Sequence, residues 1–315
     1  MSDKHTSICV IGGAGFIGTY VTRLLDQLGR SVTVLGRHDR SRVAVPNGVR
    51  YLAGDYGDPA ALQSALRGND AVVDLAYSTV PQTSFDDPVF DIVSNLPPSV
   101  RLLQEAARAG IRKVVMASSG GTVYGIATLL PIGEDHPTNP ISPYGITKLT
   151  IEKYAGMFGL TSGLPIVIVR PGNAYGEGQR AFSGQGFVAT AIHSVIHGMA
   201  VPVYGPFGTI RDYVHVSDIA RGIVAALDHG QAGEIYNIGS GEGSSNLDVL
   251  ALIEPLAKSS GYDVRTTTLP ARTFDVPANV LDSRKLTAVS GWLPAIELAE
   301  GIGRAWRFAQ DTGDR

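Results

Sequence analysis

Ile8-Cys9-Val10-Ile11-Gly12-Gly13-Ala14-Gly15-Phe16-Ile17-Gly18 is the stretch on which the fold turns. Four residues of β character run into a glycine loop, and the loop opens directly into the helical pattern Tyr20, Val21, Leu24, Leu25, Leu28. Strand, glycine loop and helix in that order form the context that a dinucleotide-binding fingerprint requires. Gly12 permits the tight turn, Gly15 lets the backbone approach a pyrophosphate, and Gly18 lets the helix lie close to the strand. The helix N-terminus offers free N–H groups to the anion. Position separates this motif from a plain tight turn, because it opens the first strand-to-helix turn of the chain.

The second strand is Ser31-Val32-Thr33-Val34-Leu35, followed by Gly36-Arg37-His38-Asp39-Arg40. A carboxylate at this strand end would accept from the ribose 2′-hydroxyl of NAD, whereas arginine suits the 2′-phosphate of NADP. The strand end has no carboxylate, so Arg37, with Arg40 or Arg42 in support, favours NADP over NAD. A third strand over 49–53 closes at Gly54-Asp55-Tyr56 and leads to a helix over 60–66. Asp55 is placed either to receive the adenine amino group or to cap its own loop. The fourth strand spans 71–76. Residues 77–88 carry prolines and aromatics and are expected as a loop over the pocket. A helix over 91–109 sets Leu102, Leu103 and Ala106 on its apolar face, with a bend or restart at Pro97-Pro98.

Val114-Val115-Met116-Ala117 is the fifth strand. It stops at Ser118-Ser119-Gly120-Gly121-Thr122-Val123-Tyr124-Gly125, and Ser142-Pro143-Tyr144-Gly145-Ile146-Thr147-Lys148 then begins a helix. Tyr144 and Lys148 stand four apart after a proline suited to a first helical turn, so they share a face. A tyrosine of ordinary pKa about 10 is a poor base near neutrality, but a lysine cation nearby would stabilise its phenolate and pull that value down. The pair is thereby expected to act as a proton shuttle. A sixth strand over 164–170 is nearly all apolar, as a strand covered on both faces should be.

This alternation predicts a parallel, doubly wound sheet. After Arg170 the rhythm breaks. Glycine-rich 172–186, a helix over 187–197 and the segment 201–205 are expected as substrate-side structure. The segment 234–239 returns to the sheet, and helices over 246–259 and near 296–309 complete the chain. The expected division is a dinucleotide-binding part over 1–170, with a returning core segment near 211–240. A smaller α/β substrate lobe takes 171–210 and 241–315.

The whole chain excludes several functions. A net charge of −3 leaves no basic footprint for nucleic acid or an anionic membrane. Its one cysteine, Cys9, rules out an internal disulfide and falls in an apolar run as a small core residue. No apolar run approaches the length of a membrane span, no targeting core precedes Ile8, and a cytoplasmic address is the expectation. No metal site is expected.

The glycine motif, Tyr144 with Lys148, and the segments Arg170-Pro171-Gly172-Asn173, Arg211-Asp212-Tyr213-Val214-His215-Val216 and Arg272-Thr273-Phe274-Asp275-Val276 occur in order. In this the chain resembles the extended short-chain dehydrogenase/reductase family. Its nearest likeness is the nucleotide-sugar branch typified by UDP-glucose 4-epimerases, and the likeness covers nearly the whole chain. The resemblance implies a Rossmann-like α/β fold with a smaller C-terminal α/β lobe and an NAD(P)-dependent enzyme. Tyr144 would be the acid/base, and Lys148 would tune it and bind the nicotinamide ribose. Asn173 would touch the substrate phosphates, and Arg211 and Arg272 would clamp the diphosphate, since guanidinium forks match phosphate oxygens. Cofactor-binding candidates are Gly12, Gly15, Phe16, Ile17, Gly18, Arg37, Asp55, Tyr56, Leu75, Ala76, Tyr144 and Lys148.

The chain departs from the family at Gly120, where a Ser or Thr usually hydrogen-bonds the sugar oxygen being oxidised. Ser119 or Thr122 is expected to supply that hydroxyl. The implied activity is epimerisation of a UDP-hexose at C4. A 4-keto-6-deoxy sugar nucleotide ketoreductase using NADPH is the alternative, and a non-catalytic dinucleotide sensor is a third reading from another class. The helices over 91–109 and 143–158 are expected to pair with their symmetry mates in a homodimer, because Ile146, Leu149, Ile151, Tyr154, Met157 and Phe158 exceed what one sheet face covers.

Overall fold

The computed structural model describes residues 5–38, 45–272 and 275–312 of the chain. Arg40 and Arg42, named above in support of Arg37, lie outside the described residues, as do Thr273 and Phe274.

The first part of the chain alternates as its pattern requires. It runs β1 (Ser7–Ile11), α1 (Phe16–Gln27), β2 (Ser31–Gly36), β3 (Arg50–Ala53), α2 (Pro59–Leu66), β4 (Ala71–Asp74), α3 (Pro81–Asp86), α4 (Pro88–Arg108), β5 (Lys113–Ala117), α5 (Pro143–Ser162) and β6 (Ile166–Pro171). Then follow β7 (Asn173–Tyr175), α6 (Phe187–Ile196), β8 (Val201–Tyr204), β9 (Ile210–Arg211), β10 (Tyr213–His215), α7 (Val216–His229) and β11 (Ile235–Ile238). The chain ends with β12 (Ser244–Ser245), α8 (Asn246–Ser259), β13 (Thr266–Leu269), β14 (Ala278–Asn279), α9 (Arg284–Ser290) and α10 (Leu298–Thr312).

Seven strands form one sheet in the order β11-β6-β5-β4-β1-β2-β3, parallel throughout. This is a Rossmann-like doubly wound α/β fold, and its strand order reverses between β1 and β4. A crevice at the carboxyl ends of those two strands is where such sheets bind ligands. The two-residue period of a strand explains both faces. Ile8, Val10, Val73, Val115, Val167 and Val169 point to the side covered by α1 and α7. Cys9, Ile11, Val72, Val114, Met116, Ile166 and Ile168 point to the side of α2, α4 and α5. Burial pushes the Cys9 thiol up to about 12, so it is an unreactive core residue.

Three elements differ from expectation. Residues 77–88 are not all loop: α3 forms there, with Pro81 in its first turn and Val80 N donating to Thr83 Oγ1 at 3.0 Å. Of the bend or restart expected at Pro97-Pro98, the restart does not occur. α4 runs through both prolines as one helix of 21 residues, because Asp91, Asn95, Leu102, Leu103 and Ala106 are buried on both sides of them. α7 had no counterpart in the sequence reading, yet it buries Ile219, Ile223, Val224 and Leu227 against the sheet.

Away from the sheet, α6, α8 and α10 enclose a separate core that includes Val188, Ile192, Val249, Ile253, Ile302 and Trp306. β8 pairs with β13, and β9 lies between β12 and β14. The end of β9 and the segment before β14 carry Arg211, Asp275 and Val276 to the mouth of the crevice.

Candidate active site

The glycine turn closes through Gly12 N donating to Leu35 O at 3.0 Å and Gly15 N donating to Gly12 O at 2.9 Å. Gly12 has φ +75°, and a Cβ there would meet Ala76 N at 3.0 Å, so both conformation and space demand glycine. A Cβ on Gly18 would strike Gly12 O. Gly15 is the N-cap of α1 and offers no side-chain cap, so the first N–H groups of the helix remain available to an anion. The turn therefore fits a dinucleotide pyrophosphate.

A cavity of about 460 Å³ opens from this turn. Gly12, Gly15, Phe16, Ile17, Gly18 and Leu75 line one end, Ser119, Thr122, Tyr144 and Lys148 the middle, and Asn173, Arg211 and Asp275 the far end. Arg37, Asp55, Tyr56 and Ala76 are not among its lining residues. Arg37 is exposed just past β2. Asp55 Oδ1 accepts from Gly57 N at 2.7 Å, the capping role, and the Tyr56 hydroxyl turns into the core 3.1 Å from Ser99 Oγ.

Ser142 caps α5 by accepting from Gly145 N at 3.1 Å, which starts the helix one residue before Tyr144. Ser84 Oγ on α3 accepts from Tyr144 N at 3.1 Å and steadies that first turn. Lys148 Nζ donates to Ala117 O at 2.8 Å, lies 3.9 Å over the ring of Tyr77 and stands 5.8 Å from the ring centre of Tyr144. Burial lowers Lys148 to about 8 against the opposing pull of Asp74, Glu152 and Asp91. Tyr144 does not show the expected depression. Burial raises its phenol, the Asp91 carboxylate adds to that, and only the Ser119 hydroxyl opposes them. The reason is geometric: the lysine hydrogen bond goes to Ala117, and its ammonium faces Tyr77.

Ser119 is the hydroxyl that meets Tyr144. Gly120 has no room for a side chain, because a Cβ would lie 2.5 Å from Leu281 Cδ1 and 2.9 Å from Arg170 O. Thr122 Oγ1 is buried in the cavity wall with no hydrogen-bond partner among the described residues.

At the far end Arg211 Nη1 donates to Val276 O at 2.8 Å, with Asp275 4.0 Å from its guanidinium. Asp212 is not its ion partner. That buried carboxylate accepts from Ser240 N at 2.7 Å and Leu281 N at 3.0 Å. Arg272 is outside the cavity lining and stacks 3.5 Å over the ring of Tyr204. The two arginines are thus placed differently.

Sequence reasoning missed Tyr77, Asp91, Gln179 and Tyr213. In the sequence Tyr77 stands at the start of the expected loop and Asp91 at the start of the expected helix. Among the described residues no group of three or more His, Cys, Asp or Glu is set to hold a metal, and no helix is long and apolar enough to cross a membrane.

A family model described as the NAD dependent epimerase/dehydratase family matches residues 8–239. A UDP-glucose 4-epimerase of Mycolicibacterium smegmatis is 34% identical over 308 residues, covering 95% of this chain and 97% of that protein. Among solved structures, the UDP-glucose 4-epimerase of Thermotoga maritima with UDP-glucose superposes with a TM-score of 0.91 at 30% identity, over 97% of this chain and 99% of that one. The UDP-glucose 4-epimerase of Thermus thermophilus in complex with NAD gives 0.89 at 33% identity, over 98% and 100%.

Proposed function

This chain belongs to the NAD dependent epimerase/dehydratase family, and from that premise we propose that it is a nicotinamide-dependent 4-epimerase of a UDP-hexose. One observation carries the reading: a single cavity joins the glycine turn at one end to Arg211 at the other, with Tyr144, Lys148 and Ser119 between them. Relatives named as UDP-glucose 4-epimerases along nearly their whole length support the same substrate class.

Gly12, Gly15 and Gly18 with the N-terminus of α1 hold the pyrophosphate, and Lys148 reaches the nicotinamide ribose. The bound nicotinamide supplies reversible two-electron oxidation at C4. As a phenolate, the form that the Lys148 ammonium and the positive charge of an oxidised nicotinamide would favour once the cofactor is bound, Tyr144 would take the proton of the sugar 4-hydroxyl and return it to the oxygen after the keto sugar has turned within the cavity. Ser119 or Thr122 holds that oxygen by hydrogen bonding. Asn173 and Arg211 hold the diphosphate end, and Arg211 in particular matches phosphate oxygens. Residues 1–170 with a returning core segment near 211–240 form the dinucleotide-binding part, which also lends Ser119, Thr122, Tyr144 and Arg211 to the substrate, and 171–210 with 241–315 form the substrate lobe.

Arg37 favours a second reading, the NADPH-dependent 4-ketoreductase, because a guanidinium rather than a carboxylate follows β2. Incubation of the purified protein with UDP-galactose and no added cofactor tests the first reading. UDP-glucose should form, and Tyr144→Phe should slow it on the order of 10²- to 10⁴-fold. Net consumption of added NADPH with a nucleotide-linked 4-keto-6-deoxy sugar as substrate, and no epimer from UDP-galactose, would replace the epimerase by the reductase. Titration with NAD and NADP decides the role of Arg37, and a preference for NAD makes it a surface charge.

A homodimer built on α4 and α5 completes the proposal, supported by exposed apolar residues on both helices.

A further inference from the structure

Tyr77 lies where the chain leaves β4, and Asp74 Oδ1 shapes that exit by accepting from Ala76 N at 3.2 Å. The face of its ring lies 3.9 Å from Lys148 Nζ, and the ring meets that of Tyr144 edge-on, with centres 4.8 Å apart at 66°. The Tyr77 ring thus touches both members of the pair. Three consecutive residues are tied to α4. The Tyr77 hydroxyl lies 3.5 Å from Asp91 Oδ1, Ser78 N donates to Asn95 Oδ1 at 2.7 Å, and Thr79 Oγ1 donates to Asp91 Oδ1. Asp91 and Asn95 are fully buried, so the ring stands on a fixed support.

Among the described residues, Lys148 Nζ has one hydrogen bond, to Ala117 O. The π face of an aromatic ring is electron-rich and attracts a desolvated ammonium. We propose that Tyr77 is a positioning residue of the proton-transfer pair: its ring face holds the Lys148 ammonium beside the cleft, and its edge sets the plane of the Tyr144 ring. This rests on the reading of Tyr144 and Lys148 as an acid/base pair. The other groups facing Lys148 are Tyr144 and Glu152 from α5, Asp74 from β4 and Asp91 from α4. All of them remain when Tyr77 is replaced, so a substitution isolates the ring.

The test is the pH profile of kcat/KM for the cofactor-loaded enzyme. Its alkaline limb reports loss of the lysine charge. Tyr77→Leu and Tyr77→Met keep apolar bulk without a π face, and each should move that limb down by roughly 0.5 to 1 pH unit. Tyr77→Phe keeps the face and should return the limb to its wild-type position. A purely structural role would lower the rate in the leucine and methionine variants and leave the limb in place. If the leucine variant does not fold, the methionine variant carries the comparison. An unmoved limb in the non-aromatic variants, or an equal shift in Tyr77→Phe, overturns the proposal. Near wild-type turnover of Tyr144→Phe is a separate result: it overturns the acid/base reading itself, and the proposal with it.

Discussion

Lys148 keeps its ammonium in a setting where burial alone would strip it, and the consequence is measurable in the protein free of cofactor. Its value in the fold is about 8, below the ordinary lysine value of about 10.4. Below about 8 both folded and unfolded chains hold the proton, and the buried charge weakens the fold. Between about 8 and 10.4 the folded chain has released the proton while the unfolded chain still binds it, so stability rises with pH across that window. Lys148→Met removes this rise. Urea unfolding at pH 7.5 and 10.5 should show wild type gaining on the variant by on the order of 1 to 3 kcal/mol; a constant difference would mean that Lys148 is solvated. Arg211 and Arg272 permit a sharper comparison. Arg211 lines the cavity, and its replacement by alanine should weaken UDP binding by about 1.5 to 3 kcal/mol, as for hydrogen bonds to a charged group. Arg272 is stacked on Tyr204, and its replacement should cost less than about 1 kcal/mol of UDP affinity. Equal losses by calorimetry would restore the symmetric clamp that the sequence suggested.

At the scale of elements, α5 is fixed to the sheet by a buried fork. Arg170 Nε donates to Glu152 Oε1 at 2.9 Å and Arg170 Nη2 to Oε2 at 2.6 Å, with both side chains at most 5% exposed. Removing one partner of such a pair leaves an uncompensated charge, so Glu152→Ala should destabilise the protein by about 3 to 5 kcal/mol. Denaturant unfolding would read a loss under about 1 kcal/mol as evidence that water reaches the pair. The sequence shows Arg170 as the end of an apolar run and the start of the segment Arg170-Pro171-Gly172-Asn173, and its partner on α5 follows from the sheet order, which no local pattern carries. The same limit explains Tyr77. Its contact with Lys148 exists because β4 and β5 are neighbours, and the residue itself reads as the start of a loop. By contrast β1, the glycine turn and α1 were legible because their signals are local: apolar period, φ-permissive glycine and an uncapped helix start. α8 has the bounds expected of it, Asn246–Ser259, and a capping box of Ser245 and Asp248 fixes its start. α7 is hard to see in the sequence because it begins at Val216, the last residue of a segment whose signal is its arginine.

Among the described residues of the whole molecule, α4 and α5 present apolar side chains that the fold does not cover. On α4, Val89, Phe90, Ile92 and Val93 are between 48% and 69% exposed, and on the adjacent α5, Ile146, Tyr154, Met157 and Leu160 are between 40% and 90% exposed. Lone exposed apolar residues are ordinary, but eight on two helices that pack against each other leave apolar surface open to association. A two-fold axis through such a surface lets it cover itself, since an isologous contact needs only one self-complementary surface. Tyr144 and Lys148 stand on the inner side of the same α5, and Asp91 on the inner side of α4, so association would stiffen the two helices that carry the site. Light scattering at micromolar concentration should therefore find a dimer. Phe90→Glu with Met157→Glu should shift it to monomer, because charges placed in an apolar interface are left without partners. The variant monomer should also bind UDP through an unaltered Arg211, which separates loss of assembly from loss of fold. A wild-type protein that scatters as a monomer at these concentrations would show that this surface serves something other than self-association.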